Sequence, residues 1–217
     1  MTLIRRRLTI ALLIGAAPFA AHGQAPPIRP LAALRPGALP EGFAAARTGR
    51  GAPAVWEVVA DPSAEGGMAL AQTGADPTDY RYPLAIVQGT AATDVAVTVR
   101  FKPVAGRTDQ AGGIAIRLAD ADNYLLVRAN ALEDNVNFYR VVNGARREIK
   151  GAAAKVTSGV WHTLGIKADG DRFQISFDGT DLFTATDRSI PGAGKVALWT
   201  KADSVTRFDR LEIRPLR

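Results

Sequence analysis

The chain has 217 residues with 27 Lys+Arg against 21 Asp+Glu, a formal net charge of +6, and no cysteine. Without cysteine, disulfides and thiolate chemistry are excluded, and the fold must be held by burial. Beyond Arg5-Arg6-Arg7 at the start, Lys and Arg stand singly apart from the Arg146-Arg147 pair, which argues against a nucleic-acid-binding surface.

The chain opens on Arg5, Arg6 and Arg7, continues through an apolar run from Leu8 to Ala17, and reaches the small-residue stretch Ala20, Ala21, His22, Gly23. Basic, apolar and small-residue regions in that order predict a secretory signal peptide over 1–23, cleaved before Gln24. The apolar run falls well short of the ~20 residues a spanning helix needs, so no membrane insertion is expected after cleavage. A periplasmic or extracellular location follows. Cleavage removes three arginines and no acid, leaving 24 basic residues against 21 acids, a net charge of +3. The remaining chain of about 190 residues is enough for one full core.

Pro26, Pro27, Pro30, Pro36 and Pro40 punctuate the next stretch. Proline removes backbone donors and resists helix and central strand alike, so residues 24–42 are expected as an extended tether and 43–217 as one folded domain. From Val55 onward no segment sustains a helical apolar period, which excludes a helical domain. Instead, apolar residues recur at every second position: Val95, Val97, Val99 and Phe101; Ile114, Ile116 and Leu118; Leu125, Val127 and Ala129; Leu164, Ile166 and Ala168; Phe173, Ile175 and Phe177; Val196 and Leu198. Asn143-Gly144, Asp169-Gly170 and Asp178-Gly179 supply hairpin turns between such runs. About a dozen strands joined this way predict an all-β fold of two stacked antiparallel sheets.

Several segments resemble concanavalin A-like domains. They are Ala111-Gly112-Gly113-Ile114-Ala115-Ile116-Arg117, Asp122-Asn123-Tyr124-Leu125-Leu126-Val127-Arg128, Tyr139 to Gly144, Trp161-His162-Thr163-Leu164, Phe177-Asp178-Gly179, and the closing run from Leu198 to Asp209. Together they are similar to laminin G-like jelly rolls and to the 3-keto-disaccharide hydrolase domain, a family 16 glycoside hydrolase-like group, over roughly residues 55–214. The resemblance implies a jelly-roll sandwich. The superfamily hosts lectins, hydrolases and adhesion modules, so it leaves activity open. The Glu-x-Asp-x-x-Glu triplet of laminarinase-type members is missing, and the nearest acid cluster, Glu133-Asp134, precedes Asn135 at an expected hairpin tip.

Strand alternation gathers Tyr124, Arg128 and Asn130 on one face of their strand and Asn137 with Tyr139 on one face of the next. With Arg117, which alternates against Ile116 and Leu118, they are expected to form one solvated patch. Tyrosine covers the apolar face of a sugar ring while Arg and Asn bond its hydroxyls, so the patch suits an oligosaccharide or glycan; an ordinary solvated sheet face has the same composition. Trp199 and Lys201 alternate on the face opposite Val196 and Leu198 and are further ligand candidates, whereas Trp56 and Trp161 are expected to pack structurally. His22 leaves with the signal, so His162 alone remains, which argues against histidine-built metal or nucleophilic sites. No cofactor is expected with the exception of calcium: the resemblance puts a calcium-ligating acid near Asp209, but Arg210 stands where a second Asp is common. Three readings remain: a non-catalytic carbohydrate-binding or surface-interaction module, a glycoside-cleaving enzyme of the 3-keto-disaccharide hydrolase kind, or a scaffold without a small ligand.

Overall fold

The computed structural model describes Leu31 and residues 35–216, so the expected signal peptide lies outside the described residues. Among the described residues the fold is all-β, with a 3-10 turn at Glu65–Gly67 and no helix long and apolar enough to cross a membrane. One sheet has eight strands in the order β1 (Gly37–Ala38), β3 (Trp56–Ala60), β4 (Met68–Gln72), β15 (Val205–Pro215), β6 (Val95–Ala105), β11 (His162–Asp169), β12 (Arg172–Phe177) and β13 (Thr180–Thr186). The other has seven: β10 (Ala145–Ala153), β9 (Asn135–Val142), β8 (Asn123–Asn130), β7 (Ala111–Asp120), β14 (Lys195–Trp199), β5 (Arg81–Val87) and β2 (Phe43–Gly49). Every strand pairing is antiparallel. This is the expected two-sheet jelly-roll sandwich.

Period-two alternation explains the core. Val95, Val97, Val99 and Phe101 of β6, Leu164, Ile166 and Ala168 of β11, and Phe173, Ile175 and Phe177 of β12 point inward from the larger sheet. Leu125, Val127 and Ala129 of β8 and Val196 and Leu198 of β14 meet them from the smaller one. Phe138 and Phe173 bridge the sheets with ring centres 4.9 Å apart, within the range at which aromatic pairs add stability beyond area burial. Trp56 joins this core, 5.9 Å from Phe208. Turn chemistry agrees with the sequence at Asn143-Gly144 and Asp178-Gly179, where both residues have positive φ. Between β11 and β12 the loop is Gly170-Asp171, one position later than expected, because Asp169 still pairs with Arg172.

The sandwich departs from the expected layout at two further points. The proline-rich stretch is partly taken into it: Leu31 is buried in the core, and Gly37–Ala38 pairs with β3 at a sheet edge, so sheet pairing begins ahead of Phe43. Proline at 36 and 40 brackets this short edge strand, the position where proline is tolerated. In β7 the register with β8 slips between Ile116 and Asp120, and Arg117 within the slip has φ of +48°. The bulge reverses the alternation. Ile114 and Ile116 enter the inter-sheet core, whereas Leu118, expected beside them, joins a second apolar cluster on the opposite side of the sheet.

Candidate functional site

That second cluster lies on the outer face of the seven-stranded sheet. Tyr82 and Leu84 of β5, Trp199 of β14, Tyr124 and Leu126 of β8, and Tyr139 and Val141 of β9 are buried there. Small residues at Ala111 and Ala115 let the larger rings lean over the sheet centre. Close packing also fixes Gly113, where an added Cβ would stand 2.7 Å from the Val127 carbonyl oxygen and 3.3 Å from the Trp199 ring.

The face curves into a trough that the Arg146 side chain covers. Four strands separate β10 from β5, which in a flat sheet would set them about 24 Å apart. Yet Arg146 of β10 puts its guanidinium carbon 5.0 Å from the Tyr82 ring centre, 4.6 Å from Tyr139 and 5.8 Å from Trp199. Only a strongly curled sheet brings its two sides together like this. Tyr82 and Trp199 stack at 5.4 Å, and the Trp199 Nε1–H donates to the Tyr124 hydroxyl at 3.2 Å. Tyr124 also shares a 2.8 Å hydrogen bond with Thr48 of β2, and burial pushes its phenol up to about 12.

Charged groups line the trough at the end where β14 runs into residue 200 and β8 turns into β9. Lys201 pairs with Asp79 at 3.0 Å and Asp109 at 2.8 Å, and Asp109 accepts from Asn130 Nδ2 at 2.9 Å. Asp203 fixes Asp109 by accepting the backbone N–H groups of residues 107–109. Burial pushes the Asp109 carboxyl up, and the Lys201 ion pair draws it back only in part. On the other side Arg128 donates to Glu133 at 2.9 Å and to the Tyr139 hydroxyl at 2.8 Å, and Asn137 donates to Tyr139 at 3.0 Å and to Glu148 at 2.9 Å. Partial burial pushes Glu133 upward, but hydrogen bonds from Arg128 and Asn135 outweigh it and hold its carboxyl below the usual range. Tyr80, 56% exposed, forms the rim beside Tyr82, with Arg50 stacked over it.

Tyr124, Arg128, Asn130, Asn137, Tyr139, Trp199 and Lys201 are thus brought together as alternation suggests. The face is not solvated, however: Tyr124 and Trp199 are 0% exposed and Arg128 2%. Sheet curvature and the Arg146 side chain cover them. Arg117 does not belong to the group. The bulge turns it toward the inter-sheet rim, where it stacks on Phe173 at 5.1 Å and donates to the carbonyls of Thr93, Ile190 and Gly170 at 2.9, 3.1 and 2.5 Å. It is a clamp on loops. Trp161 is not core either; it lies between Arg100 and Lys102 on the outer side of the eight-stranded sheet, each cation 4.9 Å from its ring. Asp209 is fully buried, accepts the Glu65 N–H at 2.8 Å and has Arg100 at 3.3 Å. One carboxylate already facing a cation and an N–H donor does not fit calcium, which takes six to eight oxygens, and the described residues hold no metal-competent group of three acids or histidines.

Arg146, Tyr82, Tyr80, Asp109 and Glu148 join the candidate site without being marked as ligand candidates by local pattern, and Glu133, expected only as a hairpin-tip residue, joins them through Arg128. Arg146 and Glu148 do share one face of their strand, opposite Val141 and Tyr139, so knowing the β9–β10 pairing would have found them.

No family model matches the chain, and no curated protein matches it. Among solved structures it is similar to the carbohydrate-binding module CBM66 from Bacillus subtilis, with a TM-score of 0.62 at 20% identity over 82% of this chain and 99% of that one. The Bacillus licheniformis beta-glucanase gives 0.57 at 14% identity, covering 91% and 100%. The fold is concanavalin A-like. A protein of unknown function with a galectin-like fold from Bacillus subtilis gives 0.58 at 11% identity, covering 78% of this chain and 88% of that one. At these identities the shared property is the concanavalin A-like fold itself, which hosts both binding and cleaving proteins.

Proposed function

We propose that the protein is an exported, non-catalytic glycan-binding module whose binding face is the trough of the seven-stranded sheet. The observation that carries this is Arg146, held over the Tyr82, Tyr139 and Trp199 rings with its Nη1 nitrogen buried and unpartnered. The exposed Tyr80 ring at the rim offers an apolar sugar face a surface, and a bare guanidinium N–H seeks a hydroxyl or carboxylate oxygen. Exposed Tyr80, Asp79 and Glu133 give a ligand its first contacts at the rim. A carbohydrate-binding module and a glucanase as fold neighbours point the same way. Export rests on the residues before Gln24 and is checked by the intact mass of secreted protein, which should begin at that residue.

Binding without cleavage follows from the acids. Glycoside hydrolysis needs one protonated carboxylic acid at the leaving oxygen and a second carboxylate across the sugar. Glu133 is held ionised by Arg128, and Asp109, though its carboxyl is raised, is 1% exposed and closed in by Lys201 and Asn130. The cleaving alternative draws on Glu133 and Glu148, which flank Tyr139 through Arg128 and Asn137. A glycan array followed by calorimetry on each hit tests both readings. Glu133→Gln and Tyr80→Ala should weaken binding about tenfold, Trp161→Ala on the other sheet should not, and no reducing ends should appear on prolonged incubation. Product release that is abolished in Glu133→Gln would favour the enzyme.

A further inference from the structure

Arg146 is set apart from the other cations of the trough by its surroundings. Arg128 has Glu133 at 2.9 Å, and Lys201 has two aspartates within 3.0 Å. Among the described residues Arg146 has no ion pair, although its charge is felt at both Tyr82 and Tyr124. Glu148, on the same strand face, turns to Asn137 instead. Arg50 adds a second cation without an ion pair among the described residues, at the rim over Tyr80. The rings beneath Arg146 keep water from one side of its guanidinium, and a half-buried, unneutralised guanidinium attracts an anion more strongly than it would at an open surface. Its buried Nη1 has no acceptor. A neutral hydroxyl would satisfy that hydrogen bond and leave the charge; a carboxylate would satisfy both.

Resting on the glycan-binding reading above, we propose that the trough selects acidic sugars, and that Arg146 is the residue that receives the carboxylate of a uronate unit. The planar guanidinium already lies against the rings, so it is pre-positioned for a paired contact with the two carboxylate oxygens, and the uronate ring is drawn toward the Tyr80 and Tyr82 edge. Selectivity against neutral sugars arises because they leave the charge uncompensated.

The test uses oligosaccharides of galacturonate, mannuronate and glucuronate, each beside its carboxyl-reduced neutral counterpart, with the secreted protein and its Arg146→Gln and Arg146→Lys variants. Arg146 is half-buried on an edge strand, so both variants should keep the parent melting temperature. At least one acidic oligosaccharide should bind about tenfold or more tightly than its reduced form, and the preference should shrink as salt rises. Arg146→Gln should abolish that preference and Arg146→Lys retain part of it. Equal binding of acid and reduced forms, or an unchanged preference in Arg146→Gln, would overturn the acidic-sugar proposal and leave glycan binding intact. So would binding confined to neutral glycans. Absence of binding to any glycan would overturn both.

Discussion

The two apolar clusters of this sandwich are built on opposite sides of one sheet and by different rules. The inter-sheet core consists of aliphatic side chains and Phe, with Trp56 at its margin, and its cohesion comes from area removed from water. The trough cluster uses Tyr, Trp and Arg, and its buried polar atoms are tied in series through Thr48, Tyr124 and Trp199, and through Glu133, Arg128, Tyr139 and Asn137. The first cluster explains why the chain folds. The second places buried polar groups where a purely structural face would use Leu and Val, and the proposed binding role rests on that difference.

Substitutions should separate the two. Phe173→Ala opens a cavity between the sheets opposite Phe138 and should cost about 3–5 kcal/mol in denaturant unfolding; a cost below about 1 kcal/mol would mean that the core is not where the stability lies. Arg117→Met leaves three carbonyls without their donor and should cost about 3 kcal/mol while glycan binding by the refolded variant stays unchanged. Lost binding at full stability would return Arg117 to the site.

Tyr124→Phe removes one hydroxyl joined to Thr48 and Trp199 and should cost about 1 kcal/mol. It also carries a pH signature. The folded phenol titrates at about 12, above the unfolded value near 10, so its contribution is complete below pH ~10 and is lost as pH rises toward 12. Melting temperature plotted against pH should therefore fall less steeply in Tyr124→Phe across that window; parallel curves would contradict the burial. The smallest effect belongs to the exposed Arg188–Asp171 pair, where Arg188→Ala should leave the melting temperature unmoved, since such pairs contribute little in water.

The inter-sheet core was legible in the sequence because period two is a local property: Val95 to Phe101 and Phe173 to Phe177 announce their inward face without reference to any other strand. The trough was legible in part. Alternation correctly set Tyr124, Arg128 and Asn130 together, and Asn137 with Tyr139, because β8 and β9 are regular. It failed at Arg117 because the bulge adds residues that no periodicity reveals, and it read the face as solvated because curl is a property of the whole sheet. Arg146 and Tyr82 lie far apart in sequence and in strand order, and only the curvature makes them neighbours.

The three tryptophans offer the most direct test, since each reports a different part of the molecule: Trp56 the core, Trp161 the outer side of the eight-stranded sheet, and Trp199 the floor of the trough. Their indole N–H signals can be followed separately in a two-dimensional nitrogen–proton spectrum during titration with a bound glycan. Binding in the trough predicts that the Trp199 signal moves with saturation while those of Trp56 and Trp161 stay fixed. Movement of Trp161 with Trp199 unchanged would contradict it and would transfer the binding surface to the opposite sheet.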